Sequence, residues 1–227
     1  MVGGAVSNGD NVVRWAARTL APEVEPACAD DRATPALLGL AERIAPGSDG
    51  LVMLPYLLAD QVAAGVPSPP GAFLGLRGEH SRDHLVRAAV EGVCLQLGGV
   101  RDRLAELTPI TSVRLAGGAF RSPLWRAVMA AVLDCPVRVA GAADDVTLGA
   151  AALGLFAIGD APDLRAAVTR LASEDDASQP VPADPALAAT YRGLRAKLPA
   201  LISVAGRLGE LLDEATAGAG FSARARP

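Results

Sequence analysis

Between Val113 and Trp125 the chain reads VRLAGGAFRSPLW: a short β-rich run breaks at two consecutive glycines and then resumes as a helix. Without Cβ atoms, Gly117 and Gly118 are able to take positive φ and to let a ligand come close to the backbone. Ser122 and Pro123 read as an N-cap and a first-turn proline. The helix that follows would offer free N–H groups and the positive end of its dipole to an anion. A glycine pair between strand and helix is also, more simply, a tight turn. The residues by themselves leave both readings open.

Around this turn, strand-like and helix-like segments alternate. Spacing at Val12, Trp15, Ala16 and Thr19 predicts a helix over Asn11–Leu20, and a second is expected over Ala36–Ile44 after a linker rich in Pro, Asp and Glu. Leu51–Tyr56 reads as a buried strand that Pro55 ends, and Ala72–Leu76 as a second short strand. The clearest helix runs from His84 to Leu104, with Leu85, Ala88, Ala89, Val93, Leu97, Val100 and Leu104 along one stripe. Strands at Val113–Ala116 and Val137–Val139 alternate with helices at Pro123–Leu133 and Thr147–Ile158. A Pro/Asp-rich linker near Pro180–Pro185 leads to a helix from Pro185 to about Lys197 and an Ala/Gly/Arg tail, mobile from about Ala217. This order is that of an α/β fold.

Composition narrows the function. The 227 residues are 51% hydrophobic and 20% charged, enough for a substantial core in a soluble, cytoplasmic protein. A net charge of −4 gives no field to attract nucleic acid, and Lys197 is the only lysine, so a lysine-based phosphate cradle is excluded. No Gly-x-x-x-x-Gly-Lys-Ser/Thr run occurs. The most apolar stretch, Val146–Gly159, is too short to cross a bilayer. Cys28, Cys94 and Cys135 fit neither a disulfide framework nor zinc-ligand spacing. His80 and His84 stand four apart with no third ligand, which favours capping or solvent-facing roles, and no metal site is assigned.

Several motifs taken together resemble a known family. Gly71-Ala-Phe-Leu-Gly-Leu76, then seven residues, then His84-Leu-Val-Arg-Ala-Ala-Val-Glu91, is similar to the second signature of the FGGY carbohydrate kinases. Met53-Leu-Pro-Tyr56, the Gly117–Ser122 turn and Asp144-Asp-Val-Thr-Leu-Gly-Ala-Ala151 occur in that family's order, and Gly3–Gly9 with Val12 and Trp15 resembles its gluconate-kinase branch. The likeness covers about 3–158, with a weaker echo in 182–199. It implies an actin-like, ribonuclease-H-like α/β domain, the second of the family's two domains, with extra helices. The domain is expected over 1–200 with its core at about 48–160, and 201–227 would form a helical end and mobile tail.

What the resemblance implies for the site follows residue by residue. Gly117 and Gly118 match the adenosine/phosphate turn, Ser122 the polar residue facing base or ribose, Asp144 a position commonly Glu in relatives, and Gly149 the start of a helix backing the nucleotide pocket. Tight helix-to-sheet packing is an equal reading of Gly149–Ala151. Asp60 and Gln61 fall in the substrate-proximal loop, where Ala59-Asp60-Gln61 stands for the relatives' Gly-Glu-Arg. The lost Arg removes a fixed donor fork that Gln does not replace. Trp125 reads as a core or pocket-wall residue. No catalytic residue is assigned: the family's general base lies in the first domain, and Asp60, Glu79, Glu91, Asp144 and Asp145 read as solvated faces or caps.

The implied function is the nucleotide-binding half of an ATP-dependent kinase of a small polyol or sugar acid, gluconate first. It would use ATP with Mg2+ held mainly by the nucleotide and the first domain, and would be incomplete without the amino-terminal half, whether that half is separately encoded or missing. A noncatalytic interaction or regulatory module is the alternative, and an actin-like ATPase remnant a third. The unmatched half further predicts self-association through Val12, Trp15, Leu51–Tyr56 and the loop to Pro70.

Overall fold

The computed structural model describes residues 8–23, 33–58, 69–140, 145–171, 179–182 and 184–218. Its axis is α3 (Arg82–Ala105), a helix buried nearly all round from Val86 to Gln96 rather than along one stripe. Its N-terminus is held by the box expected of a capped helix: His84 Nδ1 accepts the Ser81 N–H at 3.1 Å. Beneath it lies β1 (Val52–Leu54), wholly buried and paired antiparallel with β2 (Ala72–Leu74), Met53 opposite Phe73. The contact of α3 with β1 is backbone to backbone. A Cβ at Gly92 would stand 2.4 Å from the Met53 carbonyl oxygen, so only glycine fits there.

Two helices cover α3 from the amino-terminal side. On α1 (Asn8–Leu20), Val12, Ala16 and Ala17 are buried, and on α2 (Ala33–Ala41) Leu37, Leu38, Leu40 and Ala41. The expectation that Val12, Trp15 and Leu51–Tyr56 form an exposed apolar face is therefore corrected. Val12 is fully buried, Leu51–Tyr56 are buried throughout, and Trp15 is half-buried with its ring 6.0 Å from that of Phe73. The chain covers this surface itself, because α1 and α2 both pack on α3.

The second sheet holds the glycine turn. β3 (Val113–Leu115) and β4 (Val137–Val139) run parallel, joined by α4 (Pro123–Leu133), and β5 (Gln179–Pro180) adds antiparallel to β4. Trp125, Val128, Met129 and Val132 of α4 face the core. α4 stops at Asp134, which takes a left-handed φ of 49° while Arg192 holds its carboxylate at 2.9 Å. α5 (Asp145–Ala157) and α6 (Leu164–Leu171) pack on each other around a separate small cluster of Ala152, Ala161 and Ala167.

α7 (Pro185–Gly218) runs well beyond the expected end near Lys197. Pro199 lacks the N–H that a helix interior uses. The helix continues because Leu198 and Ala205 are buried on either side of it and the following Leu, Ala, Glu and Arg residues favour helix. Neither α6 nor β5 has a counterpart in the sequence expectations, and the mobile tail expected from Ala217 lies mostly outside the described residues. Among those residues no helix is long and apolar enough to cross a membrane.

Candidate functional site

After β3 the chain turns at Gly117, whose φ of 113° and ψ of 163° are glycine territory. Gly118 does not share the positive φ expected of it; it opens a single 3-10 turn, Gly118–Arg121. Ser122 ends that turn and caps α4, its Oγ accepting the Trp125 N–H at 3.4 Å. From inside α4, Arg126 donates to the carbonyls of Phe120 and Arg121, so the helix holds its own entry loop. The turn is thus held by contacts among its own neighbours in sequence.

This turn borders a cleft of about 760 Å³ whose other side is the first turn of α1. Gly117, Gly118 and Ser122 line it together with Gly9, Asp10, Glu42 and Arg121, and Val13, Val93, Leu97 and Trp125 supply apolar wall. Trp125 is 2% exposed, so it is core and pocket wall at once. The first described turn of α1 and the first turn of α4 both border the cleft; in α4 the Trp125 and Arg126 N–H groups are taken up by Ser122. The mouth carries both signs of charge: Asp10, paired with Arg14 at 2.5 Å, Glu42, and Arg121.

Of the remaining expected site residues, Gly149 is not among those lining the cleft. It sits half-buried in α5, with nothing within 4 Å of where a Cβ would be, so tight helix-to-sheet packing is not its role. Asp144, Asp60 and Gln61 lie outside the described residues. Asp10, Glu42 and Arg121 were not picked out from the sequence. Arg121 belongs to the glycine turn itself, whereas Asp10 and Glu42 reach the same cleft only through the packing of α1 and α2 on α3.

A second constellation, behind the cleft, concerns the signature helix. Glu91 was expected on a solvated face or at a cap; it is 2% exposed. Its carboxylate accepts from Arg87 Nε at 2.7 Å, Tyr191 OH at 2.6 Å, Gly47 N at 3.0 Å and Ser48 Oγ at 3.0 Å. Arg87 also donates to Tyr191 OH at 3.2 Å and to the Ala41 carbonyl at 3.4 Å. Burial, then the neighbouring Glu91 charge, pushes the Tyr191 phenol and the Cys94 thiol above their ordinary ranges. The network clamps the 47–50 turn, in which all four residues have positive φ. His84 Nε2 adds a contact to Asp49 Oδ2 at 3.1 Å, and His80 Nε2 lies 3.4 Å from the Asp49 carbonyl oxygen, so both histidines of the sequence serve this corner. Arg87 and Glu91 of the signature are therefore a structural lock and not part of the cleft.

Residues 1–158 match the FGGY family of carbohydrate kinases, C-terminal domain. The chain belongs to that family. It is 37% identical over 163 residues to the gluconokinase of Bacillus licheniformis, covering 70% of this chain and 32% of that protein. The crystal structure of gluconate kinase from Lactobacillus acidophilus shares its fold with a TM-score of 0.72 at 24% identity, over 92% of this chain and 40% of that one. A xylulose kinase from Rhodospirillum rubrum aligns with a TM-score of 0.67 at 30% identity, over 88% of this chain and 39% of the other. The actin-like, ribonuclease-H-like fold class expected from the sequence thus holds, in a form where helices dominate. The chain spans about a third of the length of the curated relatives it matches.

Proposed function

We propose that this chain is the nucleotide-binding part of an ATP-dependent carbohydrate kinase, passing the ATP γ-phosphate to a hydroxyl of a sugar or sugar acid, with gluconate the preferred acceptor. The observation that carries the reading is one cleft bordered by Gly117, Gly118 and Ser122 and by the first turn of α4, in a chain 37% identical to a gluconokinase. In this reading the phosphates lie against the Gly117–Gly118 backbone, where no side chain intervenes, and the apolar wall at Val93, Leu97 and Trp125 takes the base. Ser122 and Gly149, with Asp144, remain proposed contacts on the nucleotide side, and Asp60 and Gln61 on the sugar side.

Among the described residues no group of three or more His, Cys, Asp or Glu side chains could cage a metal. Mg2+, which kinases of this family use with ATP, would ride on the nucleotide phosphates and neutralise their charge, with Asp10 and Glu42 the carboxylates that line the cleft. The general base and most of the sugar site belong to the family's first domain, so turnover requires an amino-terminal half supplied with this one. The family domain is proposed over 1–200, with its core at about 48–160 and 201–227 as an appended helical end, in a cytoplasmic protein.

Calorimetric titration of the chain with ATP or ADP tests the reading. In this reading the family's first domain supplies the rest of the phosphate contacts, so the affinity of this chain alone should be roughly millimolar, about −4 kcal/mol. A coupled ADP-release assay should give no gluconate-dependent turnover by the chain alone, and turnover on adding the first domain of a gluconokinase. Failure of that mixture to phosphorylate gluconate, with both parts folded and nucleotide bound, would favour the noncatalytic interaction module instead.

A further inference from the structure

Over 201–215, α7 carries Leu201, Val204, Leu208, Leu211 and Ala215, an apolar row whose steps alternate three and four. That 3.5-residue period belongs to a helix packed lengthwise on another helix. The body of the chain takes a different face: Leu198 and Ala205 are buried, Ile202 is half-buried, and a Cβ at Gly209 would stand 2.8 Å from Pro70 Cδ. At 3.6 residues per turn, the two faces lie about a third of a turn apart. The row therefore stays outside: Val204 is 64% exposed, Leu208 49% and Leu211 61%, with Leu212 beside them at 55%.

We propose that this row is an interface between two copies of the chain, their α7 helices packed antiparallel. Charge placement selects both the occupant and the direction. Setting Leu208 of one copy against Leu211 of the other brings Val204 opposite Ala215. The exposed Arg207 then faces Glu214 of the second copy, and symmetry makes the same pair again. A parallel pairing would set Arg207 against Leu212 and form no such pair. Glu210 and Asp213 fall on the outer side, toward water. The self-association expected of this chain thus moves from the covered α1 and β1 surface to α7, and it does not depend on the nucleotide reading.

Sedimentation equilibrium of the full chain tests this. Two heptads make a small contact, at the weak end of specific interfaces, so the dimer should dissociate at roughly 10 µM. Leu208→Glu with Leu211→Glu changes only exposed side chains, so circular dichroism should be unaltered while the dissociation constant rises at least ~100-fold. Arg207→Glu and Glu214→Arg should each weaken pairing by a factor of about 3, and the two together should restore it. A chain that stays monomeric near ~1 mM, or a dimer indifferent to the double Leu change, would overturn the interface. Charge reversals without rescue would overturn the antiparallel arrangement.

Discussion

At Glu91 one buried carboxylate joins three parts of the chain: its own helix through Arg87, the 47–50 turn through Gly47 and Ser48, and α7 through Tyr191. Removing it leaves the Arg87 charge and three donors without their acceptor, a loss out of proportion to its size. Glu91→Ala should destabilise the chain by about 3–5 kcal/mol in urea unfolding. A loss below about 1 kcal/mol would show that the lock is ornamental. The same burial gives a pH dependence. Cys94 and Tyr191 keep their protons in the folded state beyond their ordinary values of 9.0 and 10.0, whereas the unfolded chain releases them there. Their contribution is therefore fully present below pH 9 and is lost as pH rises above it, each group adding a slope of up to about 1.4 kcal/mol per pH unit. Urea midpoints between pH 7 and 10.5 should be flat and then fall, and a stability that rises above pH 9 would contradict the assignment.

Among the elements, α3 is the one on which the others are laid, and its glycines separate packing from propensity. Gly92→Ala should destabilise by about 1–3 kcal/mol or more, because the new methyl meets the Met53 carbonyl. Gly99→Ala, on the same helix with nothing within 4 Å, should be neutral or stabilising by up to about 1 kcal/mol. Equal effects at the two sites in thermal unfolding would mean that α3 does not lie on β1 as described. Elements whose signals are local were legible in the sequence: α3 from its small apolar residues, and α4 from Ser122 and Pro123. α6 was missed although Leu164, Ala167, Val168 and Leu171 fall at i, i+3, i+4 and i+7, because at eight residues it is shorter than the window in which such a period separates a helix from a loop. α7 was cut short because Pro199 is a strong local stop signal that tertiary packing at Leu198 and Ala205 overrides. The burial of Glu91 was illegible for a related reason: its partners at 47, 48 and 191 are far away in sequence, and a Glu on a helix reads as solvated until they arrive.

For the whole molecule, the glycine turn of the cleft could be read from Gly117, Gly118, Ser122 and Pro123 alone, since its shape is made by neighbours in sequence. The opposite wall could not, because Gly9, Asp10 and Glu42 reach it only through the packing of α1 and α2 on α3. Family membership rests on the match over residues 1–158; the claim that this cleft binds the nucleotide rests on its geometry. A titration followed by 1H–15N NMR tests that claim most directly. ADP should shift the amides of Gly9, Asp10 and Gly117–Ser122 with roughly millimolar affinity, gluconate alone should shift none of them, and Gly118→Val, whose side chain would enter open cleft space, should abolish the response while leaving the remaining spectrum in place. Nucleotide shifts that survive Gly118→Val, or that map away from this cleft, would contradict the account.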